Sequence, residues 1–345
     1  MSATGVKSER LREGFDPQHI RKIVLVRATY RIGDAVLATP AIHMFRARFP
    51  TARIDFVGGP ICVAVLKHLP IDRHYSTTRR FPTVSWAYLR MLARIRAENY
   101  DLAIDVSASQ SAMGAFIVKF SNARFKIGRE GKWDSWFNLA LPKPAERNKY
   151  RLVAEFLRPL LGGTEQFPRI VLSGEERKLA AERIASLLVG KKGPVVGMFV
   201  GGRATWGKRW PEEHFVAIAN RLENAGANVI VFLGPEERRL AGFFKQALRN
   251  KVPVISEPSL RIFAAMVSCC RLFVSCDSGP MHLACAMNVR TVAVFIQNNF
   301  DHWGPPPELG RIVYDPQCNS PDRVLEVCLE ELRNLPEEPR LQKTA

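Results

Sequence analysis

Apolar and polar positions along this chain fall into blocks of two kinds. Short runs rich in Val, Ile and Leu recur at 22–26, 54–57, 102–106, 195–200, 229–233, 252–255, 272–275 and 292–295. They are continuous and do not alternate with polar residues, which is the pattern of strands buried on both faces. Between them, apolar residues spaced three and four apart predict helices at 84–96, 174–189, 211–225, 236–249 and 259–268, and another from Gly33 to about Arg48. Strands alternating with helices predict the α/β class, with parallel, doubly wound sheets.

A chain of 345 residues exceeds what one hydrophobic core usually spans, so two domains are expected. The alternation weakens between 140 and 193, where Leu141-Pro142-Lys143-Pro144, Leu161-Gly162-Gly163-Thr164 and Gly190-Lys191-Lys192-Gly193-Pro194 interrupt it. The expected division is a disordered leader (1–19), a Rossmann-like domain (20–172), a connector helix and linker (173–193), a second Rossmann-like domain (194–335) and a tail (336–345).

Composition narrows the class. Hydrophobic residues make up 47% and charged residues 24%, the balance of a soluble globular protein. No run approaches the ~18 apolar residues of a membrane span, and the charged first twenty residues do not form a secretory signal. Seven cysteines without a C-x-x-C pair read as small hydrophobes in a reducing compartment, so a cytoplasmic location is expected. Charge is more telling. The net +17 is concentrated in residues 1–172, which hold 28 basic and 14 acidic side chains against 22 and 19 in 173–345. A strongly basic half predicts a polyanionic partner: nucleic acid, an anionic lipid surface or a phosphorylated substrate.

Ligands of open α/β sheets gather at the carboxyl ends of strands, where a glycine loop feeds a helix. Three segments fit. Gly33-Asp34 follows the first run; Asp34 there is either a helix cap or a general base. Gly201 to Pro211 follows the run at 195–200 and holds the G-x-x-x-x-G-K of a P-loop, but Arg209 stands where the Mg²⁺-holding Ser or Thr belongs. Lys208 is nevertheless suited to a phosphate, or else is a solvated loop lysine. Asp277-Ser278-Gly279-Pro280-Met281-His282 follows the run at 272–275. It combines a possible anion-binding helix start with a histidine one turn on, against the plainer readings of a cap and a packed ring. No metal-ligand spacing accompanies these segments, so no metal is expected. The absence of G-x-G-x-x-G argues against a dehydrogenase, and nothing like an RNP run or a helix-turn-helix supports nucleic-acid binding.

Five segments in register resemble glycosyltransferase family 9, the heptosyltransferase-type enzymes of lipopolysaccharide core synthesis. They are Ile23–Arg27 with Gly33-Asp34 through Thr39-Pro40-Ala41; Tyr100 to Asp105; Lys208-Arg209-Trp210-Pro211; Phe232-Leu233-Gly234 with Glu236-Glu237; and Asp277 to Ala284. The resemblance covers about residues 20–335. It implies a GT-B architecture, two Rossmann-like domains facing across a cleft, with inverting, metal-independent transfer of heptose from ADP-heptose onto a phosphorylated glycolipid. It implies further that Asp34 is the base, that Lys208 meets the donor pyrophosphate, and that Glu236 or Glu237 holds the ribose. Asp277, Ser278, Gly279 and His282 would line the donor sugar and phosphates. No cofactor beyond the nucleotide sugar is implied.

The chain departs from the family pattern after 292–295, where Gly-Pro-Thr is replaced by Ile296-Gln297-Asn298-Asn299, and before it, where Met287-Asn288-Val289-Arg290 lacks the usual glycine. Both lie near the donor, so another nucleotide sugar stays open. A basic non-enzymatic nucleic-acid binder would also explain the charge, and a sugar epimerase would share the architecture. The basic, aromatic-bearing helix at 84–96 is expected either to pack through Leu89, Leu92 and Ile95, or to present Arg90, Arg94 and Arg96, with Arg79 and Arg80, to acceptor phosphates or the inner-membrane surface.

Overall fold

The apolar run Lys22–Arg27 forms strand β1, and its neighbours β2 (Arg53–Gly58) and β4 (Leu102–Asp105) hydrogen-bond to it in parallel on either side. A strand flanked on both edges and covered on both faces has no position for a polar residue, hence the unbroken run. The computed structural model describes residues 16–77, 85–109, 111–163, 166–202, 207 and 209–335. The expected leader and tail, for the most part, and Arg79, Arg80 and Lys208 lie outside the described residues.

The chain divides into two units, Met1–Pro168 and Arg169–Ala345. In the first, β3 (Arg73–Ser76), β5 (Phe125–Arg129) and β6 (Leu139–Leu141) complete a parallel sheet of order β3-β2-β1-β4-β5-β6. The helices Trp86–Ala97 and Ala112–Phe120 cover one face and bury Tyr88, Met91, Ile95, Ile117 and Val118 against Val24, Val26 and Ala103. Leu89, expected to pack, is instead 43% exposed. Tyr88, Met91 and Ile95 form the inward stripe at spacings of three and four, and Leu89 falls off it.

The second unit repeats the plan with β7 (Val195–Phe199), β8 (Asn228–Phe232), β9 (Val254–Ile255), β10 (Leu272–Cys276), β11 (Arg290–Phe295) and β12 (Gly310–Tyr314), in the order β9-β8-β7-β10-β11-β12. Both sheets are therefore six-stranded and parallel, and their strand order reverses beside the first strand of each unit. Ligands of such sheets bind at that reversal. The helix Gly174–Leu187 starts on a capping box between Ser173 and Glu176. The same Glu176 accepts from buried Arg261 on the helix Leu260–Ser268, which ties Gly174–Leu187 into the second unit.

Candidate active site

In the first unit the reversal lies between β1 and β4. Beyond Arg27 the chain turns through Thr29, whose carbonyl accepts from the Gly59 amide at 3.0 Å. A Cβ on Gly59 would stand 2.2 Å from that oxygen, so only glycine admits the approach. The helix Ile32–Leu37 follows, with Asp34 in its first turn. Arg31 holds the N-cap position, and the Asp34 carboxylate turns away from the helix amides. Its Oδ1 accepts from Arg27 Nη2 at 2.8 Å and its Oδ2 from Thr29 Oγ1 at 3.1 Å. The Arg27 and Asp34 side chains are 17% and 19% exposed, so the pair sits at the surface edge, open on one side.

Sequence reasoning missed three neighbours of this pair. Asp105 ends β4 and is buried against the start of the helix Ala112–Phe120, where a Cβ on Gly114 would lie 2.4 Å from its Oδ2. Burial pushes this carboxyl up to about 6, against the pull of the Ser107 amide and the charges of Arg27 and Arg129. Lys149, at the start of the helix Lys149–Leu161, is held below the ordinary lysine range by burial and by Arg27 and Arg129, with Asp34 opposing. Arg129 ends β5, and its buried Nε has no hydrogen-bond partner among the described residues. Three cations and two carboxylates thus share one electrostatic neighbourhood at the carboxyl edge of the sheet. Such a set suits a substrate carrying an anionic group beside a hydroxyl.

In the second unit β7 and β10 pair directly, Phe199 opposite Ser275, so the loops that follow them emerge side by side. After β7, Gly201 and Gly202 run past the Glu237 carboxyl. A Cβ on Gly201 would lie 3.0 Å from Glu237 Cδ, and one on Gly234 would lie 2.5 Å from its Oε2. Glu237 is buried, and burial together with the neighbouring Glu236 pushes its carboxyl up, although the Gly202 amide bonds to it. Glu236 is exposed. The two candidates left open by the sequence therefore differ: Glu237 braces the glycine loop and Glu236 faces solvent. Lys208 itself is not described, but Trp210 beyond it is fully buried and donates from Nε1 to Asp315 Oδ2 at 2.9 Å.

After β10, Ser278 caps the helix Gly279–Ala286 by position only. Its Oγ bonds to Ser275 Oγ at 2.9 Å and makes no cap bond to the helix amides. An uncapped helix start at a strand end favours an anion. Asp277 accepts from Asn299 Nδ2 at 3.3 Å, and His282 is buried with its ring 6.1 Å from Trp303. The departures from the family pattern return here. Asn299 meets Asp277, and a Cβ on Gly207 would come within 3.6 Å of Gln297 Nε2. Arg90, Arg94 and Arg96 are exposed on their helix in the first unit. Among the described residues no three His, Cys, Asp or Glu side chains converge as metal ligands would, and no helix is long and apolar enough to cross a membrane.

Comparison with known proteins supplies the context. A lipopolysaccharide heptosyltransferase 2 of Salmonella typhimurium is 21% identical over 315 residues, spanning 85% of this chain and 87% of that one. Among solved structures, a family 9 glycosyltransferase of Veillonella parvula superposes with a TM-score of 0.78 at 19% identity, over 91% of this chain and 98% of that one. The E. coli heptosyltransferase WaaC with ADP gives 0.72 at 18% identity, over 90% and 99%. These likenesses extend across both doubly wound units, the fold of GT-B enzymes. The family model described as glycosyltransferase family 9 (heptosyltransferase) matches residues 88–332. With this match over most of its length, the chain belongs to glycosyltransferase family 9.

Proposed function

We propose that this enzyme transfers heptose from ADP-heptose to a hydroxyl of a phosphorylated lipopolysaccharide-core acceptor, with inversion and without a bound metal ion. The observation that carries the reading is the clamped carboxylate of Asp34 at the strand reversal of the first unit, turned from its own helix toward Arg27 and Thr29. On this reading the carboxylate serves as the general base, and such groups typically contribute about 10²–10⁴-fold. It takes the acceptor proton as the hydroxyl oxygen attacks the anomeric carbon. The sugar–phosphate bond breaks on the opposite face, and its electron pair leaves with ADP. The uncapped helix start at Ser278–Gly279, together with Lys208, offsets the charge that develops on the leaving phosphate. Asp277 and His282 border the sugar, and Glu236 takes the ribose hydroxyls.

The acceptor's own phosphates are matched by Arg27, Arg129 and Lys149, and by the exposed Arg90, Arg94 and Arg96 with Arg79 and Arg80 beyond the described residues. On this reading the enzyme works at the cytoplasmic face of the inner membrane. A thermal-shift panel of ADP-, UDP-, GDP- and dTDP-sugars tests it, because a ligand selective for the folded state raises Tm by mass action. Selective stabilisation by ADP-heptose, followed by ADP release when acceptor is added, is expected. Indifference to every nucleotide sugar overturns the reading. Preference for another base favours a second reading, a different nucleotide-sugar donor, which rests on Gln297 close to Gly207 and on Asn299 donating to Asp277.

A further inference from the structure

Beside the C-terminal turn of the helix Ala112–Phe120 lies an aromatic group that the site does not use, anchored on the core by the partly buried Phe116. Phe116 and Phe120, one turn apart, have ring centroids 4.5 Å apart. The turn Asp134–Trp136, which follows β5, brings Trp136 to 6.3 Å from Phe116 and Trp133 to 4.6 Å from Trp136. Phe120 is 40% exposed and both indoles are half-buried. Two exposed lysines flank these rings: Lys119 Nζ stands 4.5 Å from the centroid of Trp136, and Lys132 Nζ 5.0 Å from that of Trp133. The one acid of the turn, Asp134, accepts from the Gly131 amide at 2.6 Å and leaves the two lysines in excess. The neighbouring helix of the same layer exposes Trp86 at 80% and Leu89 at 43%, with Arg90 and Arg94 beside them.

Single exposed apolar residues are ordinary, but a contiguous aromatic group rimmed by cations marks an interaction surface. The chemistry selects among occupants. Indole rings settle at the headgroup depth of a bilayer, lysines reach anionic headgroups from that depth, and the half of the chain that carries the group holds 28 basic against 14 acidic residues. The geometry points to an anionic bilayer as the partner: Phe120, Trp133 and Trp136 enter the interface, backed by Phe116 on the core, while Lys119 and Lys132 meet lipid phosphates. The inference rests on the proposed lipid-linked acceptor for its purpose. It would spare the enzyme a search in three dimensions by keeping it on the surface where that acceptor lies.

Flotation with phosphatidylcholine vesicles, with and without phosphatidylglycerol, tests it. The wild-type protein is expected to float with the mixed vesicles and to be released by salt. Phe120→Ser/Trp136→Ser should lose about tenfold or more in partition. Lys119→Gln and Lys132→Gln should each lose about fivefold at low salt. Should the serine variant unfold, Trp133→Phe/Trp136→Phe keeps the rings and serves instead: brominated lipid should quench the wild-type tryptophan emission and leave most of this variant's emission intact. Equal flotation of wild type and serine variant, or equal quenching, overturns the proposal. So does a serine variant that still floats but has a raised KM for a deacylated, water-soluble acceptor, since the rings would then be a sugar platform. Turnover on that soluble acceptor should otherwise match wild type. If vesicle binding behaves as stated while no nucleotide sugar is turned over, the catalytic reading fails and the docking surface stands.

Discussion

Arg27 Nη2 donates to Asp34 Oδ1 at 2.8 Å, joining the last residue of the first strand to the first turn of the helix that follows it. The bond fixes the direction of a carboxylate that its own helix leaves alone. Asp34→Asn keeps the size and one acceptor oxygen, so the variant should melt near the wild-type temperature while kcat falls by about 10²–10⁴-fold. Near-wild-type turnover would remove Asp34 from the chemistry. Arg27→Lys, which has a cation but no planar fork, should lower kcat more than it raises the donor's KM.

Asp105 allows a test by pH. Its carboxyl is raised from an ordinary 3.8 to about 6 in the folded protein, chiefly by burial. Between those values the folded chain holds a proton that the unfolded chain has lost. Stability from this group is therefore full below about pH 4 and drains away as pH rises toward 6, by about 3 kcal/mol in total. Asp105→Asn keeps an acceptor for the Ser107 amide and cannot ionise. Urea melts of the two proteins should diverge across that interval, with the variant gaining on wild type as pH rises, and run parallel above it. Parallel curves throughout would show that Asp105 titrates normally.

Trp210 should matter to stability and binding together. Trp210→Phe removes the N–H bond to Asp315 and leaves the carboxylate to Asn319 and Ser320. A cost of about 1–3 kcal/mol is expected for the lost buried bond. Trp210 also follows Lys208 by two residues, so if Lys208 meets the donor the KM for the nucleotide sugar should rise while kcat changes little. Unchanged KM with lowered Tm would confine Trp210 to the core.

The parts of this architecture that could be read from the chain are those decided locally. β1, β4, β7 and β10 are central and covered on both faces, and their apolar runs announce them. β3 reads Arg-His-Tyr-Ser and β6 spans three residues; both sit at sheet edges, where no second neighbour demands an apolar run. β5 is broken in pattern by Lys126 and by Gly128, which makes room for the Phe137 ring. The site divides along the same line. Asp34 is legible as an acid behind a glycine at a strand end. Arg129 and Lys149 lie about a hundred residues further on and join it only through the order β1-β4-β5-β6, which no local signal encodes. Asp105 closes a segment that carries the resemblance, but no role in the site could be read for it, because what distinguishes it is burial against Gly114.

Adjacent glutamates illustrate what the fold adds and supply a last test. Glu236 and Glu237 are indistinguishable by type and position, yet the turn after β8 exposes the first and buries the second between Gly201 and Gly234. If Glu236 holds the donor's ribose, Glu236→Gln should raise the KM for the nucleotide sugar with no change in Tm, because an exposed side chain contributes little to folding. Glu237→Gln should do the reverse in part. It keeps an acceptor for the Gly202 amide and removes the repulsion from Glu236, so it should be tolerated, whereas Glu237→Ala empties the space between two glycines and strands that amide. The alanine variant should lose about 1–3 kcal/mol. Its donor KM should rise as well, through the loosened glycine loop. A nucleotide KM that responds to Glu237→Gln and ignores Glu236→Gln would exchange the two roles.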